Sequence, residues 1–136
     1  MNFEINNILV LTSLLFLTNT ISGLYNKKYL FAMLFLILTI TSVIVHSNDN
    51  IYTNIIDKIV IIFVLIYGIY IIYTNFNKNV ILAVFILLSA LFCGYLYIYG
   101  FFVKKFVFNE NISISRSYHL LMHFICSISN HLIILL

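Results

Sequence analysis

The sequence predicts an all-α membrane protein, a polytopic bundle of about five transmembrane helices. Three observations carry this. The 136-residue chain is 63% hydrophobic and only 8% charged, with no Pro and no Trp. Its mean hydropathy is +1.11, outside the range of soluble globular chains. Its apolar residues also fall in continuous runs rather than alternating ones, and in lipid such runs satisfy their backbone polar groups only as helices.

A span needs about 20 mostly apolar residues, and five runs meet that length between polar breaks. The first covers about 8–25 and ends at Asn26-Lys27-Lys28. The segment before it, MNFEINN, has no basic residue, and no small-residue cleavage pattern follows, so the run is read as a retained span rather than a secretory signal. The second covers about 29–46 and leads into a short polar loop, SNDN with IYTN. The third opens at Asp57 and covers 57–74, ending at NFNKN. The fourth, 80–103, is long and holds Gly94 and Gly100; the fifth, 117–136, follows the polar segment KKFVFNENISISR. No repeat, linker or low-complexity tract divides the chain, which is expected to be one integral-membrane domain.

Charge excludes more than it assigns. The formal net charge of +3 is small and scattered, so no nucleic-acid partner is expected. With five spans, Lys27, Lys28 and Lys78 lie on one side and Lys58, Lys104, Lys105 and Arg116 on the other, a difference too small to orient the chain. The sequon Asn111-Ile112-Ser113 lies on the latter side. Lys58, Lys104, Lys105 and Arg116 read as interfacial snorkelling residues, and the tyrosines as aromatic belts. Cys93 and Cys126 sit inside apolar runs, where a small buried hydrophobe is the ordinary reading.

Ionisable groups within or bordering spans cost about 2.5–3.5 kcal/mol each at mid-helix, which makes them functional candidates. His46 closes the second run, with Ser42 one turn before it; Asp57 opens the third; His119 and His123 occupy the first turns of the fifth. Topology brings these together. The short loop puts His46 and Asp57 at one surface, and two further crossings return the start of the fifth run to that same surface. Residues four apart on a helix share a face, so His119 and His123 can bind one metal and Ser42 points with His46. Three imidazoles and an open fourth position form a catalytic rather than a closed zinc arrangement.

Singly, each residue has an ordinary reading. H-x-x-x-H recurs on apolar helices, His46 is a plausible interfacial cap, Asp57 suits the positive end of a helix macrodipole, and Ser42 can bond the carbonyl one turn back. Convergence of all five at one leaflet favours the joint reading. His131 lies eight residues beyond His123, about 12 Å along the axis, and reads as an end residue outside that site.

Ser42-x-x-x-His46, then Asp57, then His119-x-x-x-His123 on the last span resembles the signature of the CREST superfamily of membrane hydrolases, which includes alkaline ceramidases and the progestin and adipoQ receptors. The step from His46 to Asp57 is closer to the alkaline ceramidase form. The resemblance covers the order and placement of motifs from Ser42 to His123. It implies that His46, His119 and His123 hold Zn2+, and that Ser42 and Asp57 are catalytic residues beside the reacting water. It also implies a ceramide-like lipid substrate reached from the bilayer and hydrolysed at an amide or ester bond. Those families have seven spans, whereas this chain has one long run where three lie between the aspartate and histidine-pair helices. Removing two spans preserves the sidedness of the site and removes part of its wall. Only Glu4 precedes the first span, so the ceramidases' calcium cluster is not implied. A non-enzymatic receptor, assembly or remodelling protein that keeps a structural zinc site is the alternative. A b-type haem protein is a third reading, which leaves Ser42 and Asp57 without a role.

Overall fold

The computed structural model describes residues 3–48 and 50–136, with side chains from Ile8 onward except Asp49. Glu4 therefore lies outside the described side chains. The described residues form α1 (Phe3–Ser13), α2 (Leu15–Tyr25), α3 (Tyr29–Ser47), α4 (Ile51–Asn75), α5 (Val80–Val103) and α6 (Ile112–Leu135). Short 3-10 turns at Phe76–Lys78 and Phe106–Phe108 flank α5, and there is no strand among the described residues. Five helical segments are long and apolar enough to cross a membrane, with α1 and α2 together making the first. The chain is thus an all-α, multi-pass integral membrane protein.

Three boundaries differ from the sequence expectation, each for a local reason. The first span is broken at Leu14. Thr12 Oγ1 and Ser13 Oγ both donate to the carbonyl of Leu9, at 3.1 and 2.8 Å. Such back-bonding diverts an acceptor from the helical ladder and bends the helix. The backbone there tightens to Leu14 N–H donating to Leu11 O and Leu17 N–H to Leu14 O. The third helix starts at Ile51 rather than Asp57, because the Asn50 side chain accepts from Tyr52 N–H at 2.9 Å and caps it. The last starts at Ile112 rather than Ser117, because Asn111 Oδ1 accepts from the N–H groups of Ser113 and Ile114, at 3.0 and 3.4 Å. The asparagine of the sequon is thereby a helix cap.

Packing is set by where small and large residues meet. Helix α3 packs against α1, α2 and α4, and α6 against α1, α2, α4 and α5. Phe31, Phe35, Ile86 and Ala83 are almost wholly buried in the shared core. At Gly23 an added Cβ would lie 3.1 Å from Ala32 Cβ, so α2 and α3 approach as closely as small residues allow, the usual basis of helix contact in lipid. The outward faces are mainly apolar, with Ile81 84% and Leu91 70% exposed, as a lipid-facing surface requires.

The two ends of the bundle are chemically distinct. Lys28, in the α2–α3 turn, donates to Ile133 O at the end of α6 at 3.3 Å, and Lys78 reaches Leu136 O at 3.5 Å. The start of α6 is therefore at the opposite end, beside the α3–α4 loop.

Candidate metal centre

The last turn of α3 supplies His46, and α6 supplies His119 and His123 about two and three turns from its start at Ile112. One ring nitrogen from each can be chosen so that all lie within 4.8 Å of one another. The ring centroids are 4.8 Å apart for His46–His119, 5.3 Å for His46–His123 and 4.9 Å for His119–His123. In these edge and tilted contacts the rings touch one another, with no gap the width of a macrocycle between any two of them. Tetrahedral coordination at about 2.0–2.1 Å per bond sets ligand nitrogens roughly 3.3 Å apart. Binding one ion would draw the nitrogens together by up to about 1.5 Å through rotation of the three side chains. An all-imidazole donor set suits zinc, copper, iron and nickel.

The surroundings favour a ligand as well. Among the described residues none hydrogen-bonds the imidazoles of His46 or His119, although both lie within a membrane-spanning bundle. His123 is buried and differs. Its Nδ1 is 2.9 Å from Thr12 Oγ1 on α1, and its ring meets the edge of Phe16 at 5.2 Å. With the Thr12 hydroxyl proton given to Leu9 O, its oxygen can accept from Nδ1–H, the tautomer that leaves the Nε2 lone pair free. A partner on the second ring nitrogen that fixes tautomer and ring direction is the usual support of a metal-binding histidine. The same back-bonding that breaks the first span therefore orients this imidazole.

Ser42 and Asp57 lie at the histidine end, each already engaged. Ser42 is buried and its Oγ is 2.9 Å from Ser13 Oγ, which in turn donates to Leu9 O. Asp57 is buried; its Oδ1 accepts from Thr41 Oγ1 at 3.1 Å, and its Oδ2 pairs with Lys58 Nζ at 3.0 Å. Lys58 thus does more than reach for the membrane surface: its ammonium also stands 5.8 Å from the centre of the Tyr97 ring on α5. Asp57 is not one of the three clustered metal-binding groups. Thr12, Ser13, Thr41 and Lys58 are participants that sequence reasoning passed over. Thr12 and Ser13 carried a signal: an adjacent hydroxyl pair in an apolar run, at the depth of the histidines.

His131 stands apart, with Nε2 2.9 Å from Thr18 Oγ1, and is outside the cluster. Between the two histidine contacts, Asn19 Nδ2 donates to Ser127 O and Ser127 Oγ to Asn19 Oδ1, both at 2.9 Å. Polar contacts therefore stitch α1 and α2 to α6 along its length. Cys93 and Cys126 are free thiols with Sγ atoms 3.7 Å apart across α5 and α6.

A cavity of about 240 Å³ opens between α1 and α6, lined by Ile8, Leu9, Ser113, Arg116, Ser117 and Leu120 and by none of the three histidines. It is smaller than the roughly 300–1,000 Å³ that encloses a drug-sized ligand, so only part of a lipid fits within the protein. No family model, curated protein or solved structure matches the chain, and the likeness to the CREST signature rests on its own residues alone.

Proposed function

We propose that the protein is a zinc-dependent intramembrane hydrolase acting on an amide or ester bond of a lipid, with ceramide-like molecules as the substrate class. The observation that carries this is the meeting of His46, His119 and His123 from two helices at one end of the bundle, their donor atoms within 4.8 Å. Zinc held by these three histidines would supply Lewis acidity toward a carbonyl and would lower the pKa of water to about 7. The chain's own residues divide the remaining work. Asp57 accepts the proton of the attacking water and passes it to the leaving amine or alkoxide. Lys58 and Thr41 hold that carboxylate in one orientation through both its oxygens. Ser42, whose hydroxyl donates to Ser13 Oγ at rest, turns that proton to the developing oxyanion. The substrate's polar head takes the cavity between α1 and α6 while its chains remain in the bilayer. The test is turnover of labelled ceramide by purified, zinc-loaded protein. Asp57→Asn should retain zinc and lose about 10²- to 10⁴-fold in rate; a wild-type protein that holds zinc and cleaves no amide or ester lipid would remove the enzyme reading.

One observation favours a second reading. Ser42 and Asp57 are each fully partnered within the protein, by Ser13 and by Thr41 with Lys58. In that case the metal ties α3 to α6 and the protein serves as a membrane receptor or assembly factor. Zinc removal would then unfold the histidine end, with no hydrolysis to lose.

A further inference from the structure

We infer that the notch at the end of the bundle opposite the histidines binds a phosphate group at the membrane surface, that of an anionic phospholipid headgroup, with Lys28 and Lys78 as its cationic arms. The notch has a volume of about 420 Å³ and is lined by Asn26, Lys28, Tyr67, Tyr70 and Lys78 among others, with the end of α6 as its floor. The site is independent of the metal centre and of the function proposed for it.

Charge is the first argument. By chain order the described acidic side chains, Asp57 and Glu110, fall at the histidine end, while Lys27, Lys28 and Lys78 fall at the other. Among the described residues the cationic end thus has three ammonium groups and no acidic side chain. The C-terminal end of α6 attracts Lys28 and Lys78 but offers roughly half a negative charge. A terminal carboxylate on Leu136 would add one more, and the balance would still be positive. Burial, and then the repulsion of Lys78, hold the pKa of Lys28 below its ordinary value. An anion between the two ammoniums removes that repulsion.

Hydrogen-bonding capacity is the second. Each ammonium has three donors, and each has one protein acceptor, Ile133 O at 3.3 Å and Leu136 O at 3.5 Å. Tyr67 and Tyr70 stack at 6.0 Å on one wall, and their hydroxyls make no hydrogen bond to a described residue. Two donors on each ammonium and both tyrosine hydroxyls are thus left without a hydrogen-bond partner among the described residues, which is the complement of a phosphate. The position selects the source: basic pockets between helix ends at a membrane surface meet headgroups at high local concentration.

The experiment titrates the full-length protein in detergent micelles with phosphatidylglycerol, phosphatidylcholine or inorganic phosphate, reading bound lipid by native mass spectrometry. Phosphatidylglycerol should bind in preference to phosphatidylcholine. Its dissociation constant should rise about five-fold for Lys28→Gln or Lys78→Gln and about thirty-fold for both. Lys104→Gln with Lys105→Gln, at the other end, should leave it unchanged. Lys28→Arg with Lys78→Arg should retain binding, which keeps the test decisive if the glutamine pair fails to fold. Equal phosphatidylglycerol affinity in the wild type and the glutamine pair, or equal weakening by the Lys104 and Lys105 changes, would overturn the assignment. Displacement of the lipid by millimolar inorganic phosphate would overturn the headgroup as source in favour of free phosphate.

Discussion

Thr12→Val removes one hydroxyl and keeps the shape of the side chain, so it isolates the support of His123. In the wild type, Thr12 Oγ1 is 2.9 Å from His123 Nδ1 and is anchored by its bond to Leu9 O. The change deletes two neutral hydrogen bonds, one to His123 Nδ1 and one to Leu9 O. In membrane helices such bonds contribute about 0.6 kcal/mol on average, with a maximum of about 1.7, so folding should weaken only slightly. Metal affinity should respond more, because the imidazole then loses both its direction and its fixed tautomer. Loss of a supporting partner of this kind costs about 10- to 100-fold in affinity. The lower part of that range is expected here, since Phe16 still packs against the ring edge at 5.2 Å. The assay is competition for zinc against a chromogenic chelator, with circular dichroism to confirm helical content. Thr12→Ser should restore most of the affinity, and Thr18→Val, whose hydroxyl meets His131 instead, should leave it unchanged. Wild-type zinc affinity in Thr12→Val would refute the support of His123 by α1.

Further outcomes are expected elsewhere. Ser42→Ala should reduce ceramide turnover by about 10²- to 10³-fold, the cost of one oxyanion donor, while Ser13→Ala should reduce it less, since Ser13 only accepts from the hydroxyl of Ser42 at rest; steady-state rates with a fluorescent ceramide distinguish them. Gly100→Ala should destabilise the protein by roughly 1–3 kcal/mol, because the added Cβ would lie 2.7 Å from Lys105 O, in a turn where Lys104 and Phe106 already adopt positive φ; thermal unfolding followed by circular dichroism reads this, and an unchanged midpoint would contradict it.

How much of the architecture was legible follows from the kind of information each feature needs. Span number and class required only composition and run length, because lipid leaves helices as the sole way to pair the backbone. The ends were less legible. Tyr52, Thr53 and Asn54 are polar enough to resemble a loop, yet the Asn50 cap commits them to α4, and the same holds for the serines after Asn111. The break at Leu14 lies inside an apolar stretch, and only the shared acceptor, Leu9 O, reveals it. At the site, helical spacing and the count of crossings place His46, His119 and His123 together. Which hydroxyls and cations support them depends on how α1 crosses α6 and where the Lys58 side chain turns, neither of which leaves a periodic trace in the sequence.

Zinc content per chain is the most direct measurement of the metal centre. Purified protein equilibrated with zinc and desalted should hold about one ion by elemental analysis. His46→Ala, His119→Ala and His123→Ala should each lose it, while His131→Ala, whose Nε2 contacts Thr18 outside the cluster, should retain it. Zinc retained without His46, or lost equally without His131, would place the metal elsewhere and contradict the centre described.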